Sequence, residues 1–261
     1  MQDVKHRIGL LWRRMATSIH RPKIYPKQGR GRLSPEQFVA AGDMLVAKSP
    51  VWEWMEGSGD SHQPFLPMDK QFLLFKHVVC NRRFSTLKKT AYDTKCVDRD
   101  EMAWIASEAE EEVIVSHISS SNDSGNPSVS LDWETKRMLK QMRYYDVSIT
   151  YDAYYQTPHV YLCGFNHNGL YLTAGEMMED VDEDYVLKTV TIDPHPFHLY
   201  SHDCISIHPC MHAATMERML SMMEDGGKMV REDQYLFLFI KFIMSVVPSI
   251  NFDYTTEVAI H

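Results

Sequence analysis

The segment from Ser206 to His212, SIHPCMH, places one cysteine between two histidines. Pro209 restricts the preceding His208 to an extended backbone. A helix predicted to begin just after Cys210 would favour a nucleophilic thiolate there, and His208 and His212 could then orient or polarise a reacting group. The same residues also fit a buried structural cysteine, because cysteine often packs as a small apolar side chain. The residue types alone leave these two interpretations open.

A metal site is the third interpretation of this segment and the least supported. Cysteine and histidine both bind zinc, but no second cluster supplies further ligands at a plausible spacing. The five cysteines lie far apart, are odd in number and include no CxxC pair. That pattern argues against a disulfide framework and for a reducing compartment. We therefore predict neither a metal nor a cofactor.

Residues 1–33 form a basic arm in a chain whose net charge is −8, because they contain nine Lys or Arg and a single acid. Apolar residues recur in the arm at helical spacing, with a tryptophan beside them: Val4, Ile8, Leu11, Trp12 and Met15. A basic amphipathic helix with a tryptophan fits a membrane anchor at the lipid–water interface. On this pattern alone, packing on the domain and nucleic-acid binding remain alternatives.

Periodicity and capping signals predict helices at both ends of the domain, with strands between them. Ser34 and Gln37 form a capping-box pattern, and Pro35 suits the first helical position. Strands are predicted at 69–80, 144–152, 159–166, 187–192 and 204–207, and further helices at 211–227 and about 233–246. This order, with the strands mostly joined by short hairpins, predicts an α+β fold with an antiparallel sheet.

Residues 84–142 differ in composition from their surroundings. They contain the acidic run EAEEE and the polar, turn-forming run SSSNDSGNPS. Such a composition buries too little apolar surface to fold by itself. We predict a flexible acidic insertion that divides the domain into residues 34–83 and residues 143–261.

Several spaced segments of the chain resemble the autophagy-related protein 3 family, the ubiquitin-conjugating-enzyme-like proteins of autophagy. They include QTP (156–158), KTVTI (188–192), SIHPC (206–210) and PSI followed two residues later by DYT (248–255). The resemblance covers most of the chain outside the arm and the insertion. It implies a ubiquitin-conjugating-enzyme-like core whose antiparallel sheet is flanked by helices, with an N-terminal amphipathic helix and a flexible acidic insertion.

The resemblance also implies an activity. In this family the cysteine of the HPC motif accepts a ubiquitin-like autophagy modifier from an activating enzyme as a thioester and passes it to the amine of phosphatidylethanolamine. Cys210 matches that cysteine. Thr189 matches a threonine that the family holds near it and is expected to position or hydrogen-bond the reacting group, since the motif lacks the asparagine of ordinary ubiquitin-conjugating enzymes. His208 is expected to shape the site rather than act as a base.

Two other functions remain open beside this one. The first is a catalytically silent membrane-binding adaptor on the same fold, and the second is a transferase that modifies protein lysines. The partners implied are the modifier, its activating enzyme, the ligase-like conjugate complex of autophagy and a membrane containing phosphatidylethanolamine, without nucleic acid. The family also implies a cytoplasmic protein, peripheral at autophagosome-forming membranes, whose residues 84–142 contact the activating enzyme and the ligase-like complex.

Overall fold

The computed structural model describes residues 29–57, 61–80, 82–84, 142–250 and 252. The five arm residues predicted to bind membrane lie outside these ranges, and so does nearly all of the predicted insertion. Among the described residues, no helix combines the length and the apolar composition needed to cross a membrane.

Six strands form one sheet in which every hydrogen-bonded pair of neighbours is antiparallel, in the order β1–β2–β3–β4–β6–β5. The strands are Glu53–Met55 (β1), Phe72–Cys80 (β2), Arg143–Asp152 (β3), Thr157–Asn166 (β4), Val190–Asp193 (β5) and Cys204–Ile207 (β6). Within the described ranges, the helices are Pro35–Lys48 (α1), Ala174–Met178 (α2), His212–Asp225 (α3) and Tyr235–Val246 (α4). The predicted α+β class with an antiparallel sheet is therefore confirmed.

The helix boundaries follow from the capping residues. The hydroxyl of Ser34 accepts a hydrogen bond from the backbone N–H of Gln37, whose side chain accepts one from the N–H of Ser34, as the capping box predicts. At the other end of the chain, α3 ends before Gly226, and Gly227 adopts a φ of 77°, a conformation that favours glycine. The predicted start of α1 and the predicted glycine stop of α3 are confirmed.

Two details of the predicted strands are wrong. Only β3 and β4 are joined by a short turn, whereas the other strands are separated by helices or longer segments. The predicted strand 187–192 begins only at Val190, because residues 186–189 form a turn in which Leu187 has a φ of 57°. The alternation of LKTVTI is typical of a strand but does not reveal the turn at its start.

The two faces of the sheet are covered differently. On the inner face, apolar side chains of the strands pack with α1, α3 and α4 into the main core, which includes Phe38, Ile149, Met216 and Phe239. Two methionines of α3, Met216 and Met219, are part of this core. On the outer face, a segment of residues 194–203, here called the cover segment, connects β5 to β6 and packs on the strands.

The cover segment joins the outer face through aromatic and polar contacts. The ring of Phe197 stacks on Phe72 of β2, with 4.7 Å between the ring centroids. His195 is buried, and its Nε2 lies 2.9 Å from the hydroxyl oxygen of Ser148 on β3. Tyr200 donates a hydrogen bond to the carboxylate of Asp146 on the same strand. These contacts cover the sheet surface that the helices leave open.

A buried carboxylate connects the ends of β2 and β3, between which the predicted insertion lies. Asp180 is fully buried and accepts hydrogen bonds from Arg83, Arg143 and Tyr145. Two guanidinium groups and a hydroxyl compensate the loss of water around this charge. These contacts therefore fix the place where the chain leaves the sheet after β2 and re-enters it at the start of β3.

Candidate active site

Cys210 lies where strand β6 passes into helix α3. The strand ends at Ile207, a single 3₁₀ turn spans Pro209–Met211, and α3 begins at His212. Cys210 is exposed, whereas the other three cysteines in the described part of the chain are buried: Cys80, Cys163 and Cys204. An exposed thiol at this junction is accessible to another molecule, so the structure favours the nucleophile over the buried structural cysteine.

His208 fixes the backbone that carries the thiol. Its backbone N–H donates a hydrogen bond of 2.7 Å to the carbonyl oxygen of Thr189. Its Nδ1 accepts a hydrogen bond of 3.2 Å from the N–H of Cys210, and its ring packs edge-on against Tyr155, 5.4 Å away between centroids. With Nδ1 bound to the turn, the ring acts as a cap for the segment that holds Cys210.

Thr189 lies beside this turn because its carbonyl oxygen is the acceptor for His208. It ends the turn before β5 and is half-buried, so it is not a strand threonine that faces solvent. Its backbone N–H donates to the carbonyl oxygen of Tyr185 and closes the turn. The structure thus brings together the three residues that the sequence selects for chemistry: Cys210, Thr189 and His208.

His212 is arranged differently from His208, although the two flank Cys210 symmetrically in sequence. It is 1% exposed, and its Nδ1 donates a hydrogen bond of 2.9 Å to the carbonyl oxygen of Pro158. Its ring contacts Phe239 and Phe242 edge-on. Burial lowers the pKa of His212 to about 4, so the ring is neutral at neutral pH. The idea that an accessible, chargeable His212 polarises a reacting group is therefore wrong, because the side chain belongs to the core.

The two histidines also do not form a metal site with the cysteine. One Nδ1 is bound to a backbone N–H and the other to a backbone carbonyl. Across the described ranges, no group of three or more His, Cys, Asp or Glu side chains is arranged to hold a metal ion.

A groove of about 580 Å³ lies between α3 and α4 and begins beside Cys210. Thr189, His208 and Met211 line the end near the cysteine. Two cations, Arg218 of α3 and Lys241 of α4, also line it. The sequence alone does not predict this groove. The signal that pointed to it was Lys241, a charge within the apolar run of α4 that a wholly buried helix would not contain.

Exposed apolar side chains surround the same region. Leu187, in the turn before Thr189, is 82% exposed, and Met211, next to Cys210, is 54% exposed. Apolar side chains this exposed next to a groove are typical of surfaces that contact another molecule.

The last residues of the basic arm dock on the helix that follows the site. Gly31 has a φ of 84°, and a Cβ there would overlap the carbonyl oxygen of Ala213 in α3. Tyr235 donates a hydrogen bond of 2.7 Å to the carbonyl oxygen of Gly31, and Arg30 forms an ion pair with Glu224 near the end of α3. Only glycine allows both this conformation and this close approach.

Fold and site together define an α+β protein with an accessible cysteine between a strand and a helix, next to a groove. The family model for the active-site domain of autophagocytosis-associated protein matches residues 37–254. This chain therefore belongs to the autophagy-related protein 3 family, as the sequence segments predicted.

Similarity to individual proteins of this family extends over most of each chain. The chain is 33% identical to autophagy-related protein 3 of Schizosaccharomyces pombe, over 95% of this chain and 96% of that protein. It is 33% identical to the protein of the same name from Saccharomyces cerevisiae, over 94% and 97% of the two chains. The protein of that name from Arabidopsis thaliana is 32% identical, over 87% and 88%.

Proposed function

We propose that this protein is an autophagy conjugating enzyme that carries a ubiquitin-like modifier as a thioester on Cys210 and transfers it to the amine of phosphatidylethanolamine. The observation that carries the proposal is the position of Cys210. It is the one exposed cysteine of the four in the described ranges, and it lies within the part of the chain that matches the family's active-site domain. The proposal includes a ubiquitin-conjugating-enzyme-like architecture for the α+β core.

The first step is a transthiolation. The thiolate of Cys210 attacks the carbonyl carbon of the thioester that joins the modifier to its activating enzyme. The tetrahedral intermediate collapses, the carbon–sulfur bond to the activating enzyme breaks, and that enzyme's thiolate leaves. The exposure of Cys210 supports this step, because the sulfur must meet a carbonyl presented by another protein.

The second step transfers the acyl group to the lipid. The neutral amine of phosphatidylethanolamine attacks the thioester carbonyl, an amide bond forms, and the thiolate of Cys210 leaves. The proton of the amine passes to water. In this proposal Thr189 positions the reacting group or donates a hydrogen bond to the oxyanion, and His208 keeps the turn in shape through its bond to the N–H of Cys210.

In this proposal the basic arm binds the membrane that contains the acceptor lipid. Val4, Ile8, Leu11, Trp12 and Met15 are the residues proposed to enter the lipid interface, with the arm's positive charge favouring anionic lipids. The contact between Gly31 and α3 supports a role for the arm near the site, because it keeps the end of the arm against the helix that follows Cys210.

The remaining partners and the location are part of the same proposal. We expect the modifier, its activating enzyme and the ligase-like conjugate complex of autophagy to bind this protein, the last two through residues 84–142. The protein is proposed to be cytoplasmic and peripheral at autophagosome-forming membranes.

A charging assay on a non-reducing gel tests the enzyme. The protein and its Cys210→Ser variant are mixed with the activating enzyme, modifier and ATP, and liposomes containing phosphatidylethanolamine are then added. We expect a thiol-sensitive adduct that discharges to lipid, and a stable ester in the serine variant. If a demonstrably charged activating enzyme yields no adduct, the conjugating function is wrong and the catalytically silent adaptor takes its place. Discharge to protein lysines in preference to lipid would instead indicate the other transferase.

A further inference from the structure

The short connection between β3 and β4 lies against the turn that carries Cys210. The ring of Tyr155, in this connection, packs edge-on against the ring of His208, with 5.4 Å between the centroids and 76° between the ring planes. At the start of β4, the carbonyl oxygen of Pro158 accepts the hydrogen bond from Nδ1 of His212. One connection thus supports the residues on both sides of the cysteine. Its QTP motif resembles the family, but no step of the proposed reaction uses it.

Hydrogen bonds hold the backbone of this connection on both sides of Tyr155. The carboxylate of Asp152 accepts the backbone N–H groups of Tyr154 and Tyr155, each at 2.9 Å. The carbonyl oxygen of Gln156, a residue with a φ of 56°, accepts the N–H of Leu33 at 2.8 Å. Such side-chain and backbone bonds fix the shape of a turn, so the ring of Tyr155 presents a defined surface to the imidazole.

The hydrogen bond between His208 and Cys210 depends on the orientation of the imidazole ring. Only Nδ1 accepts from the N–H of Cys210, at 3.2 Å. Rotating the ring by half a turn about its bond to Cβ would put a carbon, Cδ2, in the place of that acceptor. Without packing, the torsion about this bond is broad. The contact with Tyr155 therefore selects the orientation in which the ring caps the turn.

This cap holds the turn that carries the thiol next to Thr189. The backbone N–H of His208 donates to the carbonyl oxygen of Thr189, and Nδ1 of the same residue accepts from the N–H of Cys210. Losing the second bond leaves the N–H of Cys210 to water and lets the thiol move relative to Thr189. Small misplacements of a reacting group slow a reaction strongly. A residue that preserves this bond thus affects the rate without touching the thioester.

We propose that Tyr155 is a positioning residue of the conjugation reaction, which holds the ring of His208 in the orientation that caps the N–H of Cys210. This inference rests on the proposed function and adds a residue to it. The aromatic ring of Tyr155 carries the role, because the contact is an edge-to-face pair of rings. Phenylalanine at this position is therefore expected to be equivalent, and an aliphatic side chain is not.

The test uses the full chain, charged with modifier on Cys210 and then discharged to ethanolamine over a range of amine concentrations. This small amine needs no membrane, so lipid binding by the arm does not enter the rates. Tyr155→Leu removes the ring but keeps an apolar side chain, and Tyr155→Phe keeps the ring. Tyr171→Leu is the matched control, because Tyr171 is also half-buried and stacks on a histidine, His202, at 4.1 Å on the outer face of the sheet.

We expect Tyr155→Leu to lower the maximal rate of discharge by about fivefold, the effect of one aromatic pair. The ethanolamine concentration that gives half of the maximal rate stays unchanged, because the amine does not bind the tyrosine. Tyr155→Phe and Tyr171→Leu keep the wild-type rate. His208→Ala removes the cap itself, so adding Tyr155→Leu to it slows discharge no further. A loss of packing alone would slow both backgrounds by the same factor.

Hydrogen exchange of the Cys210 amide measures the cap without any reaction. In uncharged protein, NMR should show about fivefold faster exchange of this amide in Tyr155→Leu, because its bond to His208 opens more often. The exchange rate stays unchanged in Tyr155→Phe and in Tyr171→Leu. Amides in the middle of α3 keep their rates in all three variants, which shows that the fold is intact.

Two results overturn the inference. Wild-type discharge by Tyr155→Leu, or equal slowing with and without His208, shows that the ring of Tyr155 does not act through the cap. An unchanged exchange rate of the Cys210 amide in Tyr155→Leu shows that the contact does not hold the turn. A wild type that forms no thioester overturns the proposed function instead, and the exchange rates still decide whether Tyr155 holds the turn.

Discussion

Strand β6 carries a cysteine at its start and leads to a second one just past its end, and the two have opposite surroundings. Cys204 is fully buried on the outer face of the sheet, where it packs with Cys163 and Tyr161. Its hydrogen bond to Cys163, together with burial, raises the pKa of the Cys163 thiol far above its usual range. Cys210 is exposed at the junction with α3, and its backbone, not its sulfur, is held by His208.

The difference shows that the two ends of β6 have separate roles, since the buried end stabilises the fold and the exposed end presents a reactive thiol. At the buried end of β6, the cover segment and the neighbouring strands enclose each sulfur, so the cysteines act as apolar packing residues. At the exposed end, Cys210 lies in the 3₁₀ turn between β6 and α3, beyond the edge of the sheet. Substitutions at the first end should change the free energy of unfolding, and substitutions at the second should change reactivity.

The largest expected difference between the two ends is in thiol reactivity. In a Cys96→Ser background, a maleimide should modify Cys210 at least about a thousandfold faster than Cys163 or Cys204, because the buried thiols react only when the structure opens. Mass spectrometry of peptides sampled over time measures each rate. Comparable rates at Cys204 and Cys210 would show that the outer face of the sheet is open, which would contradict the burial of Cys163 and Cys204.

The second test concerns pH and applies to both ends. Burial lowers the pKa of His195, under the cover segment, and of His212, behind Cys210, to about 4. The unfolded chain binds protons at these residues near pH 6.5, whereas the folded chain stays neutral until about pH 4. Stability is therefore complete above pH 6.5 and is lost as the pH falls, by about 2 kcal/mol for each histidine between pH 6.5 and 5.

Urea unfolding at several pH values measures this loss. The variant His195→Asn, which keeps a side-chain donor for Ser148, should reduce the slope of stability against pH by roughly a third, since burial lowers the pKa of three histidines, His195, His212 and His159, and one of them is removed. A wild-type stability that does not change between pH 6.5 and 5 would contradict the burial of both rings.

Replacing Cys204 or Cys210 by serine compares the two ends of β6 directly. Cys204→Ser should lower the free energy of unfolding by about 1–2 kcal/mol, because a hydroxyl replaces a thiol in a pocket without water. Cys210→Ser should leave it unchanged within about 0.5 kcal/mol, since the side chain is exposed. Denaturant midpoints of the two variants, compared with the wild type, give both numbers. Equal losses would mean that Cys210 also has a packing role.

The smallest expected effect is at Thr189. Thr189→Val keeps the shape of the side chain but removes its hydroxyl, and it should slow discharge of the Cys210 thioester to lipid by about tenfold. Charging of Cys210 and the midpoint of unfolding should not change, because the backbone bond to His208 remains. Thr189→Ser is the matched control and should retain most of the rate. A valine variant that discharges at the wild-type rate would show that the Thr189 hydroxyl has no role in the mechanism.

The sequence predicts much of the fold because its signals there are local. The capping box at Ser34, the glycines after α3 and the strand periodicities each specify a boundary from a few neighbouring residues. The selection of Cys210 and Thr189 had a different source, a resemblance to a family, and the structure independently places both next to His208.

What the sequence did not predict depends on contacts between distant segments. Nothing near His195 shows that its ring meets Ser148, and the two prolines beside it indicate only a break in regular structure. His208 and His212 are equally spaced from Cys210 in sequence, but only His212 is buried, because one turn of helix rotates its ring into the core. The groove is formed by two helices, so no single stretch of sequence contains it.

The buried Asp180 network has a consequence for how the chain folds. It fixes the place where β2 and β3 pair, and that pairing joins Cys80 to Arg143 across a long intervening segment. The entropy lost in closing such a loop grows only with the logarithm of its length, so doubling the segment adds only about 0.6 kcal/mol. The loop between these strands can thus gain or lose many residues over evolution at little cost to folding, while the strands that position Cys210 keep their register.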